Sequence, residues 1–194
     1  VRHSLTKISH LHFVAAETYR LRVLQLGEES RRVYLVGGLG VDAIQQTQML
    51  TRCEVATSLG ADFSNRSLLI TFHPVTLANQ PSDEQLDILL GALHHFGDFT
   101  LIFTSPNADT GGKAMATQIR SFCRNHSNAN IYESLGNPLY LSCLNVVDAV
   151  VGNSSSGLLE APSLGTPTVN IGIRQRGRLR APSVLDCQVD EDSI

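Results

Sequence analysis

The stretch Gly152-Asn153-Ser154-Ser155-Ser156-Gly157-Leu158-Leu159-Glu160-Ala161-Pro162 gathers small and hydroxyl side chains directly after the apolar run Val146-Val147-Asp148-Ala149-Val150-Val151. It reads as strand, loop of small residues, helix. Such a junction leaves backbone N–H groups unpaired at the helix start, where the dipole favours an anion, and side chains as small as those from Ser154 to Gly157 let a phosphate approach the backbone. The hydroxyls of Ser154, Ser155 and Ser156 can donate as well. Glu160 lies about one turn further on, and a carboxylate suits the two hydroxyls of a ribose. Together these residues suggest a nucleotide diphosphate; the competing reading is an ordinary capped helix after a strand. A nucleophile elbow, G-x-S-x-G, occupies the same kind of junction, but the spacing fails: Ser154 has Gly152 before it and Ser156 after, and Ser155 has Asn153 before it and Gly157 after.

His73 follows the apolar run Ser67 to Phe72 and precedes Pro74, which stiffens the exit. It therefore belongs at the carboxyl end of a strand, where open α/β sheets bind ligands. There it could bond a phosphate oxygen or move a proton near neutral pH, or it could be structural. The segment Arg174-Gln175-Arg176-Gly177-Arg178 comes just after the run Thr168 to Ile171 and falls at the same sheet edge. A charge run is often a solvated face, but guanidinium groups also match phosphate oxygens in a forked geometry. Three carboxyl-end loops thus carry anion-binding groups. His3, His10 and His12, or His94 and His95, lack a carboxylate partner at metal-ligand spacing, so no metal site and no cofactor is expected. Cys53, Cys123, Cys143 and Cys187 are scattered without a C-x-x-C pair, which predicts reduced thiols and a cytoplasmic setting.

The elements that must position these groups alternate along the chain: strand-like apolar runs with helix-like amphipathic ones, the pattern of an α/β protein with a mostly parallel sheet. The runs predict strands at His12 to Ala15, Val33 to Val36, Ser67 to Phe72, Phe99 to Phe103, Asn130 to Tyr132, Val146 to Val151 and Thr168 to Ile171. A helix is expected from Asp83 to Phe96, capped by Ser82 with Gln85 at the capping-box position and Leu86, Leu89, Leu90, Leu93 and Phe96 on one face. Two more are expected, from Lys113 to Asn125 and from Thr18 to Leu26, the latter stopped by Gly27. A composition shift near Gln45 to Thr51 predicts a domain boundary, separating residues 1–45 from 46–194.

The 194 residues suffice to fold without staples, and 42% hydrophobic with 17% charged residues is a globular composition. The longest apolar runs fall far short of the roughly 20 residues of a spanning helix, so no membrane association is expected. Fifteen Lys plus Arg against eighteen Asp plus Glu leave a net charge of -3, without the basic excess of a nucleic-acid binder. The chain opens at Val1 without a Met and stops at Ile194 in mid-pattern, as a fragment would.

Four linked stretches, Arg2-His3-x-x-Thr6-Lys7-x-x-His10-Leu11-His12-Phe13, Phe72-His73-Pro74-Val75-Thr76, Gly152 to Gly157 followed by Glu160-Ala161-Pro162, and Gly172-x-Arg174-Gln175-x-Gly177-Arg178, resemble in order and spacing the hydrolysing UDP-N-acetylglucosamine 2-epimerases of sialic-acid biosynthesis. The resemblance spans nearly the whole chain. It implies two Rossmann-like domains facing each other across a cleft, as in many nucleotide-sugar glycosyltransferases. Residues 1–45 would be the tail of the amino-terminal domain, and residues 46–194 most of the UDP-binding, carboxyl-terminal one. It further implies that Ser154, Ser155 and the nearby backbone through Ser156 and Gly157 hold the pyrophosphate, that Glu160 holds the ribose, and that His73 and Arg174 face the phosphates. Arg2 matches a family active-site arginine, which makes Arg2 and His73 the catalytic candidates. The region around Leu141 to Leu144 matches the family's uracil site, with Cys143 where relatives of this fold often carry an aromatic residue. The implied reaction eliminates UDP to a 2-acetamidoglucal, to which water adds to give N-acetylmannosamine. Its acids and bases belong to residues upstream of Val1, so this chain by itself is expected to be inactive.

Three other readings differ in their products. The non-hydrolysing epimerase returns UDP-N-acetylmannosamine, but such relatives typically show His-Arg-x-x-Asn where this chain has His73-Pro74-Val75-Thr76, and Asp-Ser-Gly-Gly in place of Asn153 to Ser156. A glycosyltransferase half would need an acceptor, and a binding module would turn over nothing. The exact sugar and the oligomeric state are not legible, although an exposed cleft face could drive self-association.

Overall fold

The computed structural model describes residues 2–75 and 80–194, with Arg2 described by its backbone alone. Its packing divides the chain into two units, residues 1–46 and 47–194. The first runs α1 (Arg2–Ile8), β1 (His12–Val14), α2 (Glu17–Gln25), a 3-10 turn at Ser30–Arg32, β2 (Val33–Leu35) and α3 (Leu39–Gln46). β1 and β2 pair in parallel, with His12 opposite Val33 and Val14 opposite Leu35. His12 and Val33 are buried on one face of this small sheet, whereas Phe13 and its partner Tyr34 on the other are 65% and 45% exposed. Beside it Glu28 joins Lys7 at 2.7 Å and His12 Nε2 at 3.1 Å, and the Lys7 ammonium holds the Glu28 carboxyl below the usual range.

The second unit contains α4 (Arg52–Leu59), β3 (Ser67–Thr71), α5 (Ser82–Leu93), β4 (Thr100–Thr104), α6 (Gly112–Asn125), β5 (Ala129–Tyr132), α7 (Gly136–Val146), β6 (Ala149–Gly152), α8 (Ser156–Leu159), a 3-10 turn at Ala161–Leu164, β7 (Thr168–Ile171) and β8 (Val184–Cys187). Its strands form one parallel sheet in the order β5-β4-β3-β6-β7-β8. The chain steps outward from β3 to β5, returns to lay β6 beside β3, and steps outward the other way. Between β3 and β6 the winding direction therefore reverses, and open α/β sheets hold ligands at such a switch, outside the strands' carboxyl ends.

Strands covered on both faces read as nearly continuous apolar runs, and every residue of β3 is buried. Leu68, Ile70, Leu101 and Phe103 pack with Leu86, Leu89, Leu90 and Leu93 of α5 and Met115 and Ile119 of α6 in a single core. Leu69, Ile102 and Val150, of opposite parity along their strands, are equally buried. Each such side chain contributes roughly 1.5–3 kcal/mol by leaving water. Among the described residues no helix is long and apolar enough to cross a membrane.

Several elements depart from the sequence-based expectation. α5 is preceded by Pro81 as its N-cap, and Ser82 is its first residue; the Ser82 hydroxyl accepts the Val75 N–H at 3.0 Å and so ties the helix to the loop after β3. Gln85 donates from its side chain to the Gln80 carbonyl at 2.9 Å instead of closing a capping box. The helix stops at Leu93, three residues short of Phe96. The capping box is on α4, where Thr51 and Glu54 satisfy each other's backbone N–H groups. Val146 ends α7 instead of starting a strand, which moves β6 to Ala149–Gly152. α1, α3, α4, α7 and β8 have no counterpart among the expected elements.

Candidate functional site

β6 ends on Gly152, whose φ is +135° and whose place a Cβ would fill only 2.1 Å from the Thr71 carbonyl oxygen. Only glycine fits there, and its absence of a side chain lets the end of β6 close on the end of β3. Asn153 follows, fully buried. Its Oδ1 accepts the His73 N–H at 2.7 Å and its Nδ2 donates to the His73 carbonyl at 2.8 Å. The Asn153 carbonyl in turn accepts Gln175 Nε2 at 2.7 Å and an Arg174 guanidinium N–H at 3.1 Å. The loops after β3, β6 and β7 are thus bonded through one residue.

His73 has a defined ring state. Its Nδ1 accepts the Asn107 N–H at 3.1 Å, from the loop after β4. A backbone N–H can only donate, so Nδ1 carries a lone pair and the proton of the neutral ring is on Nε2. Burial lowers the His73 pKa to about 4, helped by the Arg174 charge and opposed by Asp109. Near neutral pH the ring is therefore an uncharged donor, and not a cation. Arg174, partly buried, is lowered by burial while Asp109 opposes it, and it stays charged.

Ser154, Ser155 and Ser156 are partly exposed on the turn that leads into α8. Gly157 is buried because a Cβ would meet Thr168 Cγ2 at 2.6 Å, and the Thr168 hydroxyl bonds its carbonyl at 2.9 Å. α8 has four residues and passes directly into the 3-10 turn, so the anion-attracting part of this junction is one turn's N–H groups rather than a long helix dipole. Glu160 stands at the joint between the two. Burial raises its carboxyl pKa, while Ser156 and Arg178 act in the opposite sense. Glu160 Oε2, Gln175 Oε1, Ser105 Oγ and Asn107 Oδ1 are buried polar atoms without a hydrogen-bond partner, all in segments following the carboxyl ends of neighbouring strands.

His73, the serine turn, Glu160 and Arg174 are thus brought to one sheet edge. Cys143 is not: it is 0% exposed on α7, and burial pushes its thiol up to about 12, so it has no surface to offer a base. Leu141, Ser142 and Leu144 are buried with it. Arg2 begins α1 in the first unit, and its side chain, like Thr76, lies outside the described residues. Among the described residues no group of three or more His, Cys, Asp and Glu is placed to hold a metal ion. Sequence reasoning missed Asn153, Asn107 and Gln175. Asn153 was in view as part of the small-residue loop, but nothing in its type signals that it would be buried and shared by three loops.

Chemically, the edge offers donors to an anion from His73 Nε2, Arg174 and the serine turn, and from Glu160 an acceptor for hydroxyl groups. Comparison with known proteins agrees in kind. The model of the UDP-N-acetylglucosamine 2-epimerase family matches residues 1–194. The chain is 38% identical over 192 residues to a GDP/UDP-N,N'-diacetylbacillosamine 2-epimerase (hydrolyzing) of Campylobacter jejuni, covering 98% of this chain and 50% of that protein. It is 37% identical over 195 residues to polysialic acid biosynthesis protein P7 of Escherichia coli, covering 100% and 49%. In fold it is similar to the Methanocaldococcus jannaschii UDP-GlcNAc 2-epimerase in complex with UDP-GlcNAc and UDP, with a TM-score of 0.73 at 16% identity over 96% of this chain and 52% of that one. A Staphylococcus aureus MnaA–UDP co-structure gives a TM-score of 0.72 at 14% identity over 97% and 50%. The chain spans about half the length of the curated relatives it matches.

Proposed function

The chain belongs to the UDP-N-acetylglucosamine 2-epimerase family, and from that premise we propose that the whole protein is a hydrolysing UDP-sugar 2-epimerase in which residues 46–194 bind UDP and residues 1–45 close the amino-terminal Rossmann-like domain. The observation that carries this reading is the joining of His73, the serine turn and Arg174 through Asn153 at the sheet's switch point.

In the proposed reaction the anomeric C–O bond breaks and its electron pair passes to the leaving phosphate oxygen, while a proton is lost from C2. Water then adds to the resulting glycal. This chain's part is to receive the developing negative charge. Arg174, the neutral His73 Nε2–H and the turn at Ser154, Ser155, Ser156 and Gly157 are donors fixed before the reaction begins, so they stabilise the charge as it appears without reorganising. Glu160 accepts from the ribose hydroxyls and sets the nucleotide's position. Arg2 is proposed as a further catalytic residue, and the groups that move the C2 proton are assigned to the remainder of the protein.

For the sugar we propose N-acetylglucosamine, giving N-acetylmannosamine. A second reading, N,N'-diacetylbacillosamine, is favoured by two relatives named for that substrate, at 38% and 34% identity. Calorimetric titration of UDP into the folded chain, with Glu160→Ala and Arg174→Ala as controls, tests the nucleotide site. Saturable binding weakened by both substitutions supports it, and a folded chain that takes up no UDP overturns it. Feeding the full-length protein each UDP-sugar, without an acceptor, and identifying free UDP and the released sugar then decides between the substrates by kcat/KM.

A further inference from the structure

Asn153 has the environment of a core residue but not the bonding of one. A buried amide needs only to be satisfied, by whatever neighbours are near. Here both side-chain bonds go to the backbone of a single residue 80 positions away, His73, at 2.7 and 2.8 Å. The orientation of the amide is unambiguous, because the His73 N–H can only donate and its carbonyl can only accept. The Asn153 main chain completes the arrangement: its N–H donates to the Thr71 carbonyl at 3.1 Å, and its carbonyl accepts from Gln175 and Arg174 at 2.7 and 3.1 Å. At the other end of the histidine, the Asn107 N–H holds Nδ1 at 3.1 Å. Backbone and ring are both pinned, which leaves Nε2–H a single direction.

Resting on the UDP-site reading above, we propose that Asn153 is the positioning residue of the leaving-group site: its amide fixes the His73 loop, and its carbonyl the Arg174–Gln175 loop, in register with the serine turn. Donors stabilise a developing charge only if they are already in place, so this residue acts through the others and touches no reacting atom.

The test exploits the amide's two-sided chemistry. Asn153→Asp keeps the shape and replaces the Nδ2 donor with oxygen. Ionised, that oxygen faces the His73 carbonyl lone pair to lone pair; protonated, it donates as the amide did. The ionisable groups around the position are His73 and Arg174, on which Asp109 and Arg178 act in turn, and Tyr140 and Glu160, which interact with Ser156 and, for Tyr140, Thr71 beside it. UDP affinity of the full-length protein is measured by calorimetry for parent and variant at the same pH, so that titration of UDP itself cancels in the ratio. Asn153→Asp is expected to bind UDP about tenfold or more weakly than the parent near pH 7.5 and within about threefold near pH 5, the scale of one lost hydrogen bond. Gln175→Glu sets a carboxylate against the Asn153 carbonyl from a different loop and is expected to show the same pH-dependent ratio, which keeps the test alive if Asn153→Asp does not fold. In turnover kcat is expected to fall by a larger factor than KM rises, because misaligned donors are lost chiefly in the transition state. A ratio independent of pH in folded variants, or no loss at all, overturns the proposal while leaving the UDP site standing. A parent protein that does not bind UDP overturns the site itself and this proposal with it.

Discussion

A neutral histidine that donates from Nε2 makes a different prediction from a histidine that shuttles protons. With its pKa lowered to about 4 by burial and the Arg174 charge, His73 should show no ring titration by NMR between pH 8 and about pH 5. The same shift makes stability depend on pH. Between about 4 and the ordinary value of 6.5 the unfolded chain binds a proton that the folded one refuses, so stability falls as pH drops through that window and is unaffected by this group above it. Replacing His73 by Gln should flatten that part of a stability-versus-pH curve measured by chemical denaturation. Glu160 and Arg174 should separate by ligand: Arg174→Ala weakens both UDP and inorganic pyrophosphate, whereas Glu160→Ala weakens UDP, by about tenfold, and spares pyrophosphate. Equal losses for both ligands from Glu160→Ala would count against a ribose contact. At this scale the donors were legible because each follows an apolar run, as strand-end residues do. Asn153, Asn107 and Gln175 were not, since their roles depend on partners 80, 34 and 22 residues distant that no local pattern brings together.

The junctions between elements carry the tightest steric demands. Gly152→Ala would drive a Cβ into the Thr71 carbonyl at a φ that side chains rarely adopt, and should cost about 3 kcal/mol or more by thermal unfolding. Gly157→Ala meets instead the methyl of Thr168, a group that can be removed. Thr168→Ser takes away that methyl and keeps the hydroxyl bonded to the Gly157 carbonyl. The double variant should therefore be more stable than the sum of the single losses predicts, by about 1 kcal/mol or more in a double-mutant cycle, and additivity would refute the contact. Most strands of the larger sheet were readable as apolar runs because buried parallel strands have no polar face to break the pattern. α7 was hidden for the same reason: Leu141, Cys143 and Leu144 merge with Val146 to Val151 into one apolar stretch in which periodicity cannot find the boundary. α4 begins at Thr51-x-x-Glu54, whose capping-box pattern stands in the sequence. β8 lies at the sheet's edge with Leu185 68% exposed and gives too short and too mixed a run to stand out.

As whole bodies the two units differ in what they bury. Residues 47–194 carry a sheet covered on both faces and a continuous core. Residues 1–46 bury little beyond His12 and Val33 among the described residues, and expose Ile8, Phe13 and Leu39 at 79%, 65% and 81%. A peptide of residues 1–46 is expected to give an unfolded circular-dichroism spectrum, and residues 47–194 to unfold cooperatively; a helical, cooperative short peptide would contradict this account of where the stabilising burial is.

The reversal of winding between β3 and β6 also sets when the site can exist. Leu68 must find Ala149, and His73 must find Asn153, across a span in which the chain has first to make β4 and β5. Pairings so distant in sequence form late, because the entropy of closing the loop is lost before the contact returns anything. A chain emerging from the ribosome thus holds His73 long before it holds any partner for it, and the edge that gathers His73, Asn153 and Arg174 has no intermediate form. Affinity for UDP should appear in refolding only with the final kinetic phase, so that nucleotide added at the start leaves the folding rate unchanged and slows unfolding alone.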